Sequence, residues 1–195
     1  MLIPGSRLIG APVMGLQTGS ELGRLSRAVI DPATLKILAY EVTGPMLDLH
    51  PSLLRIADVR EFSDIGVIVD SSDEFVSPTD VIKLGEIYDL RFQPVGMQVL
   101  DEKKHKLGKV ESYTIDTSSF VIQQLSIKRP FLKSFNDTQL LVHRTQITEI
   151  NDKAIIVHSE RQPTEPVIDT VRDHAAYVNP FRKPAGPQAE HSDHR

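Results

Sequence analysis

The sequence predicts a mainly β protein: two small β-barrels in tandem, joined by a short helix or linker and followed by a largely disordered C-terminal tail. Three observations lead there. A unit recurs along the chain, its apolar runs are short and broken by turn residues, and proline becomes dense near the C-terminus.

The recurrence governs everything else, because a missed repeat misassigns a whole fold. Glu21-Leu22-Gly23-Arg24-Leu25 matches Lys106-Leu107-Gly108-Lys109-Val110 at an offset of 85 residues. At the same offset Ile30-Asp31 falls on Ile115-Asp116, Leu35 on Phe120, Ile37 on Ile122 and Val42 on Ile127. Three further residues in the second copy move the offset to 88, where Val59 meets Ile147, Phe62 meets Ile150 and Val67-Ile68-Val69 meets Ile155-Ile156-Val157. The domains drawn from this are 1–76, a connector 77–92, 93–161 and a tail 162–195.

Each copy reads as short strands. Pro12-Val13-Met14 opens the first, Thr18-Gly19-Ser20 turns, and Leu22 to Ile30 runs to the turn Asp31-Pro32-Ala33-Thr34. Leu35 to Val42 is β-branched and aromatic enough for sheet. A loop with Gly44, Pro45 and Pro51 leads to an extended piece at Leu53 to Ile56, a helical turn around Ala57-Asp58-Val59, and a pair at Arg60 to Phe62 and Ile65 to Val69. The second copy repeats this with Met97 to Leu100, a turn at Glu102-Lys103-Lys104-His105, Leu107 to Ile115, a turn at Asp116-Thr117-Ser118, and Phe120 to Lys128. Leu140 to His143 follows, then a turn near Arg144-Thr145-Gln146 and a hairpin of Ile147 to Ile150 with Ala154 to His158.

In the connector, Ser77 suits a helix N-cap, Pro78 the first helical position, and Asp80 the positive end of the helix dipole. Val81, Ile82, Gly85 and Tyr88 would share a face; an extended linker is the alternative. The tail holds five of the 13 prolines and too few apolar residues to offset its ordering entropy. Val167 to Phe181, with Val171, Tyr177 and Val178, is a possible docking segment within it.

The paired motifs resemble the PRC-barrel family. They are Val13, Leu22-Gly23-Arg24-Leu25, Ile30-Asp31 and Lys36-Ile37 in one copy, and Val99, Leu107-Gly108-Lys109-Val110, Ile115-Asp116 and Val121-Ile122 in the other. That family includes the cytoplasmic domain of the photosynthetic reaction-centre H subunit and the C-terminal domain of the ribosome maturation factor. The resemblance covers about residues 8–160 and implies protein–protein contact rather than catalysis. Independently of it, Gly23 and Gly108 enter strands where a bulge needs a missing side chain, and Asp31 and Asp116 lead turns whose N–H groups a carboxylate accepts.

Composition narrows the chemistry. In 195 residues, 40% hydrophobic and 25% charged, there is material for a globular core. Without cysteine there is no disulfide, thiolate nucleophile or Cys-ligated metal. No basic region leads into a long apolar run and no stretch approaches the roughly 18 to 20 apolar residues of a membrane span, so a cytoplasmic protein is expected unless a partner recruits it to a membrane surface. There is no G-x-S-x-G elbow, phosphate loop or HExxH spacing, so no enzyme, cofactor or metal is expected. His191, Asp193 and His194, and Asp169, Asp173 and His174, fall in the tail, without the rigid scaffold a metal site needs. Asp70-Ser71-Ser72-Asp73-Glu74 lacks the glycine and distant glutamate of a calcium loop and reads as a solvated loop.

The net charge of −4 conceals a polarity. Residues 1–90 carry 7 Lys/Arg against 13 Asp/Glu, whereas residues 91–161 carry 11 against 8. Lys103, Lys104, His105, Lys106 and Lys109 gather at one turn, with Lys128, Arg129 and Lys133 later in the unit. Such a cluster either keeps a hairpin tip solvated or engages an anionic surface. The expected function is therefore a non-enzymatic interaction or assembly adaptor with a protein partner. The alternatives are an RNA- or ribosome-associated factor using the basic turn, and a small-ligand or metal binder.

Overall fold

The computed structural model describes residues 1–45, 47–63, 65–129 and 139–158. Lys133 and the tail, with its histidine clusters and the Val167–Phe181 segment, lie outside the described residues.

The protein is mainly β. Before the first full unit, β1 (Leu2–Pro4) leads into a 3-10 turn over Gly5–Leu8. The unit itself comprises β2 (Pro12–Gly15), β3 (Ser20–Asp31), β4 (Lys36–Thr43), β5 (Ser52–Arg55), β6 (Glu61–Ser63) and β7 (Gly66–Val69). Then come β8 (Phe75–Val76) and the helix α1 (Ile82–Leu90). The later strands are β9 (Gln98–Asp101), β10 (Lys106–Asp116), β11 (Val121–Lys128), β12 (Gln139–His143), β13 (Ile147–Ile150) and β14 (Ala154–Val157).

Pairing follows one order in both halves. β2–β3, β3–β4, β4–β5 and β6–β7 are antiparallel and β7 returns parallel to β2. Likewise β9–β10, β10–β11, β11–β12 and β13–β14 are antiparallel and β14 lies parallel to β9. The hydrogen bonds do not close either half into a ring. One mixed 14-stranded sheet runs through the molecule, with β13 and β6 at the ends of its main path. Where β5 would continue into β6, and β12 into β13, the chain makes a 3-10 turn, at Ile56–Asp58 and Arg144–Gln146.

The halves meet at β4 and β11, where Lys36 opposes Val121. The Ile37 N–H donates to the Phe120 carbonyl (2.8 Å) and the Ile122 N–H to the Leu35 carbonyl (2.9 Å). Each lead-in segment crosses to the other half. β1 pairs with β10, and Gly5 lets the chain run against the Tyr113 ring, where a Cβ would overlap. Reciprocally, α1 packs Leu84 against Val29, Ala39 and Leu53, and Gln93 donates to the Ala28 carbonyl (2.8 Å). One main core accordingly spans both halves, from Val13, Ile37 and Val69 to Ile115, Leu125 and Ile155, and residues Met1–Glu160 form one compact unit.

The connector departs from its expected geometry. Ser77 does not cap the helix: its N–H is taken by the Asp80 carboxylate (2.7 Å), which folds Ser77–Asp80 into a turn. The helix starts at Ile82, with Gly85 set against the Pro78 carbonyl. That phase buries Leu84 and leaves Ile82 81% exposed, so Ile82 is not on the packed face. Burying Leu84 contributes about 1.5–3 kcal/mol. The acidic run is solvated, with Asp70, Ser72 and Asp73 exposed, and within it Ser71 caps a 3-10 turn over Ser72–Glu74 that leads into Phe75-Val76, paired with β5. Among the described residues no helix is long and apolar enough to cross a membrane.

Candidate functional site

The basic turn is built on an aspartate. Asp101 ends β9 as a buried residue, 8% exposed, and its carboxylate accepts the His105 N–H (2.8 Å) and lies 2.8 Å from His105 Nδ1. The Lys104 N–H donates to the Asp101 carbonyl (2.9 Å), and Lys104 takes a left-handed φ of 65°. Burial would push the Asp101 carboxyl up, but hydrogen bonds and charge from His105, with the Lys103 N–H, hold it below the usual carboxylate range. A tied-down aspartate thus presents Lys103, Lys104, His105 and Lys106 to solvent, all exposed.

β10 then bulges at Leu107, between the pairs Lys106↔Leu100 and Gly108↔Val99. Gly108 sits under the Lys128 carbonyl and the Ile127 side chain, where a Cβ has no room; Gly23 occupies the matching place, with Thr43 O 2.9 Å from a Cβ position. That close approach brings Lys109 directly opposite Lys128, both exposed, with Arg129 half-buried beyond. The structure therefore gathers three lysines and a histidine at one turn, and two more lysines in a cross-strand pair between β10 and β11. Among the described residues none of these five lysines forms an ion pair. The acids around them are engaged elsewhere: Asp101 by His105, Glu102 by His158 (2.9 Å) and Glu111 by Gln139 (3.4 Å).

Asp31 and Asp116 lie away from that strip, each organising a turn. Asp31 accepts the Ala33 N–H (2.9 Å) and Thr34 hydroxyl (2.8 Å); Asp116 accepts the Ser118 hydroxyl (2.6 Å), the Ser119 hydroxyl (3.0 Å) and the Met1 amino group (3.1 Å). Ser118 first, and then the amino group, hold Asp116 well below the usual carboxylate range. Both turns end on a non-glycine residue in left-handed conformation, Leu35 (φ 58°) and Phe120 (φ 54°), whose carbonyls make the bonds between the halves. Reading Leu35 and Phe120 as strand residues missed this role. The available signal was their position four residues after an aspartate in each copy.

The remaining buried polar chemistry is inert. The Tyr40 hydroxyl is enclosed in the core, and burial, then Tyr113, push its pKa up, so it stays neutral. Among the described residues no three His, Asp or Glu side chains gather as metal ligands. What the strip offers is cationic charge at the β9–β10 turn and across β10 and β11, suited to meeting a complementary negative surface. No protein-family model matches the chain, and no curated protein matches it.

Proposed function

We propose that the chain is a cytoplasmic protein-interaction module built from two copies of a PRC-barrel-like unit, and that it holds an acidic protein surface along the strip Lys103, Lys104, Lys106, Lys109 and Lys128. Support for the duplication comes from the shared pairing order, the matched glycines under Thr43 and Lys128, and the matched left-handed residues Leu35 and Phe120.

The observation that carries the binding reading is the Lys109–Lys128 pair. Like charges directly opposite across strands repel, at a cost of about 0.2–1 kcal/mol per pair, and no described acid relieves it. An anionic partner removes that cost and is steered toward the strip as it approaches. A protein suits it better than RNA, since the first half's charge of −6 repels a long polyanion.

The test is affinity capture at low salt with the native chain and with the variant Lys103→Glu, Lys104→Glu, Lys106→Glu, whose fold is checked by circular dichroism. A stoichiometric acidic protein held by the native chain and lost by the variant is expected. Retention by the variant, or no stoichiometric protein at all, refutes the reading. Capture of RNA, with affinity falling steeply as salt rises, moves the assignment to the nucleic-acid alternative.

A further inference from the structure

A cavity of about 570 Å³ opens between the β3–β4 turn and β13 with its preceding 3-10 turn. Pro32, Leu35, Arg144, Ile147, Glu149 and Ile150 are among the residues lining it. Its size falls within the usual range for ligand sites, and it lies apart from the lysine strip.

The molecule contains the counterpart of this place. Adding 85 to the turn and subtracting 88 from the strand leads to Phe120 and to Ile56, Val59 and Phe62. There the two rings pack, with centroids 4.5 Å apart and planes tilted by 34°. In the cavity Leu35 keeps the left-handed backbone of Phe120, but its side chain is aliphatic. Ile150 stands in for Phe62, and Arg144 for Ile56. Where two rings pack on the other side, branched aliphatics line an opening here that is accessible to solvent. Arg144 adds a cation at the rim, exposed and in no ion pair among the described residues. The neighbouring Glu149 is turned to the Asn151 amide (3.0 Å).

We infer that this cavity receives an aromatic side chain of a partner polypeptide, its ring lying on Leu35 and Ile150 as Phe62 lies on Phe120, with an adjacent carboxylate paired to Arg144. This rests on reading the chain as a protein-interaction module, but places the contact on a surface other than the lysine strip. The occupant's chemistry is set by what the counterpart holds, a phenyl ring, and by the charge of the one unpaired cation on the rim.

The test is an amide NMR titration of the full chain with acetyl-Glu-Phe-Glu-amide. Saturable shifts at Leu35, Thr148 and Ile150 are expected, with affinity at least tenfold lower when alanine replaces the peptide's phenylalanine. Arg144→Glu should weaken binding several-fold. The double variant Leu35→Phe, Ile150→Phe should abolish it while leaving the melting temperature equal or higher, because the rings then come from the chain itself. Equal affinity for the alanine peptide, or undiminished binding by the filled variant, overturns the inference. Shifts confined to Lys103 through Lys109 also overturn it, yet leave the strip reading intact. That reading stands or falls on the charge-reversal capture, in which the cavity is untouched.

Discussion

Replacing Phe120 by alanine removes a ring that is 3% exposed, packed on Phe62 at 4.5 Å and carried on a backbone with φ of 54°. Lost burial and the cavity left behind together cost about 3–5 kcal/mol. In a compact unit of residues Met1–Glu160, roughly 2–4 °C per kcal/mol puts the fall in melting temperature at about 6–20 °C. Glycine at the same position separates ring from backbone. In an ordinary strand glycine loses about 0.5–1 kcal/mol relative to alanine, but a left-handed residue with a Cβ carries about 1–2 kcal/mol of strain that glycine lacks. Phe120→Gly should therefore be level with Phe120→Ala or up to about 1.5 kcal/mol more stable. Urea unfolding followed by circular dichroism and tyrosine fluorescence measures both; the chain has four tyrosines and no tryptophan to obscure them. A loss below about 1 kcal/mol for alanine, or a glycine variant clearly less stable than the alanine one, refutes the reasoning.

Gly108→Ala forces a Cβ onto the Lys128 carbonyl, and should cost about 1–3 kcal/mol as overpacking, read as a shifted urea midpoint. Lys109→Glu replaces a like-charged cross-strand pair by an opposite one, so stability should rise by about 0.2–1 kcal/mol, more at low salt than high, while capture of the acidic partner falls. For pH, the Asp116 carboxyl titrates below its ordinary value in the folded chain. The stability it supplies is therefore complete above the ordinary value and lost as pH falls through it toward the folded one. Asp116→Asn should flatten the acid limb of melting temperature against pH below about pH 5, and an unchanged limb refutes the assignment. Leu35→Phe alone should match or exceed the native melting temperature, since the position already has Phe120's backbone and open space beside it.

Strand positions were legible because the signals that make them are local. Asp31 and Asp116 tie their own turns, Gly23 and Gly108 admit the neighbouring strand's carbonyl, and apolar residues fall on the inner face between them. The helix was placed correctly as an element but mis-phased. Ser77-Pro78 looks like a cap, yet the Asp80 carboxylate captures the Ser77 N–H and the Pro78 carbonyl meets Gly85, moving the start to Ile82. β1 escaped notice because Leu2–Pro4 gains its partner only from Thr114–Asp116, far along the chain. The single open sheet was likewise hidden, since its continuity depends on two backbone hydrogen bonds at Leu35 and Phe120 that no side-chain pattern announces. Of the candidate site, the lysines of the turn were legible as a charge run. The pairing of Lys109 with Lys128 needed the register, and the cavity became visible only when Leu35 and Ile150 were set against Phe120 and Phe62 in space.

Amide hydrogen exchange at Ile37 and Ile122, under native conditions, tests most directly whether the two halves of the sheet are locked into a single body that presents the strip. Their N–H groups donate across the seam to Phe120 and Leu35. Both amides should exchange only through global unfolding, with an opening free energy equal to the urea-derived stability and shared by core amides such as Ile115 and Ile155. Exchange at the rate of an exposed turn, or opening of the two amides well below the global value, would contradict a locked pair.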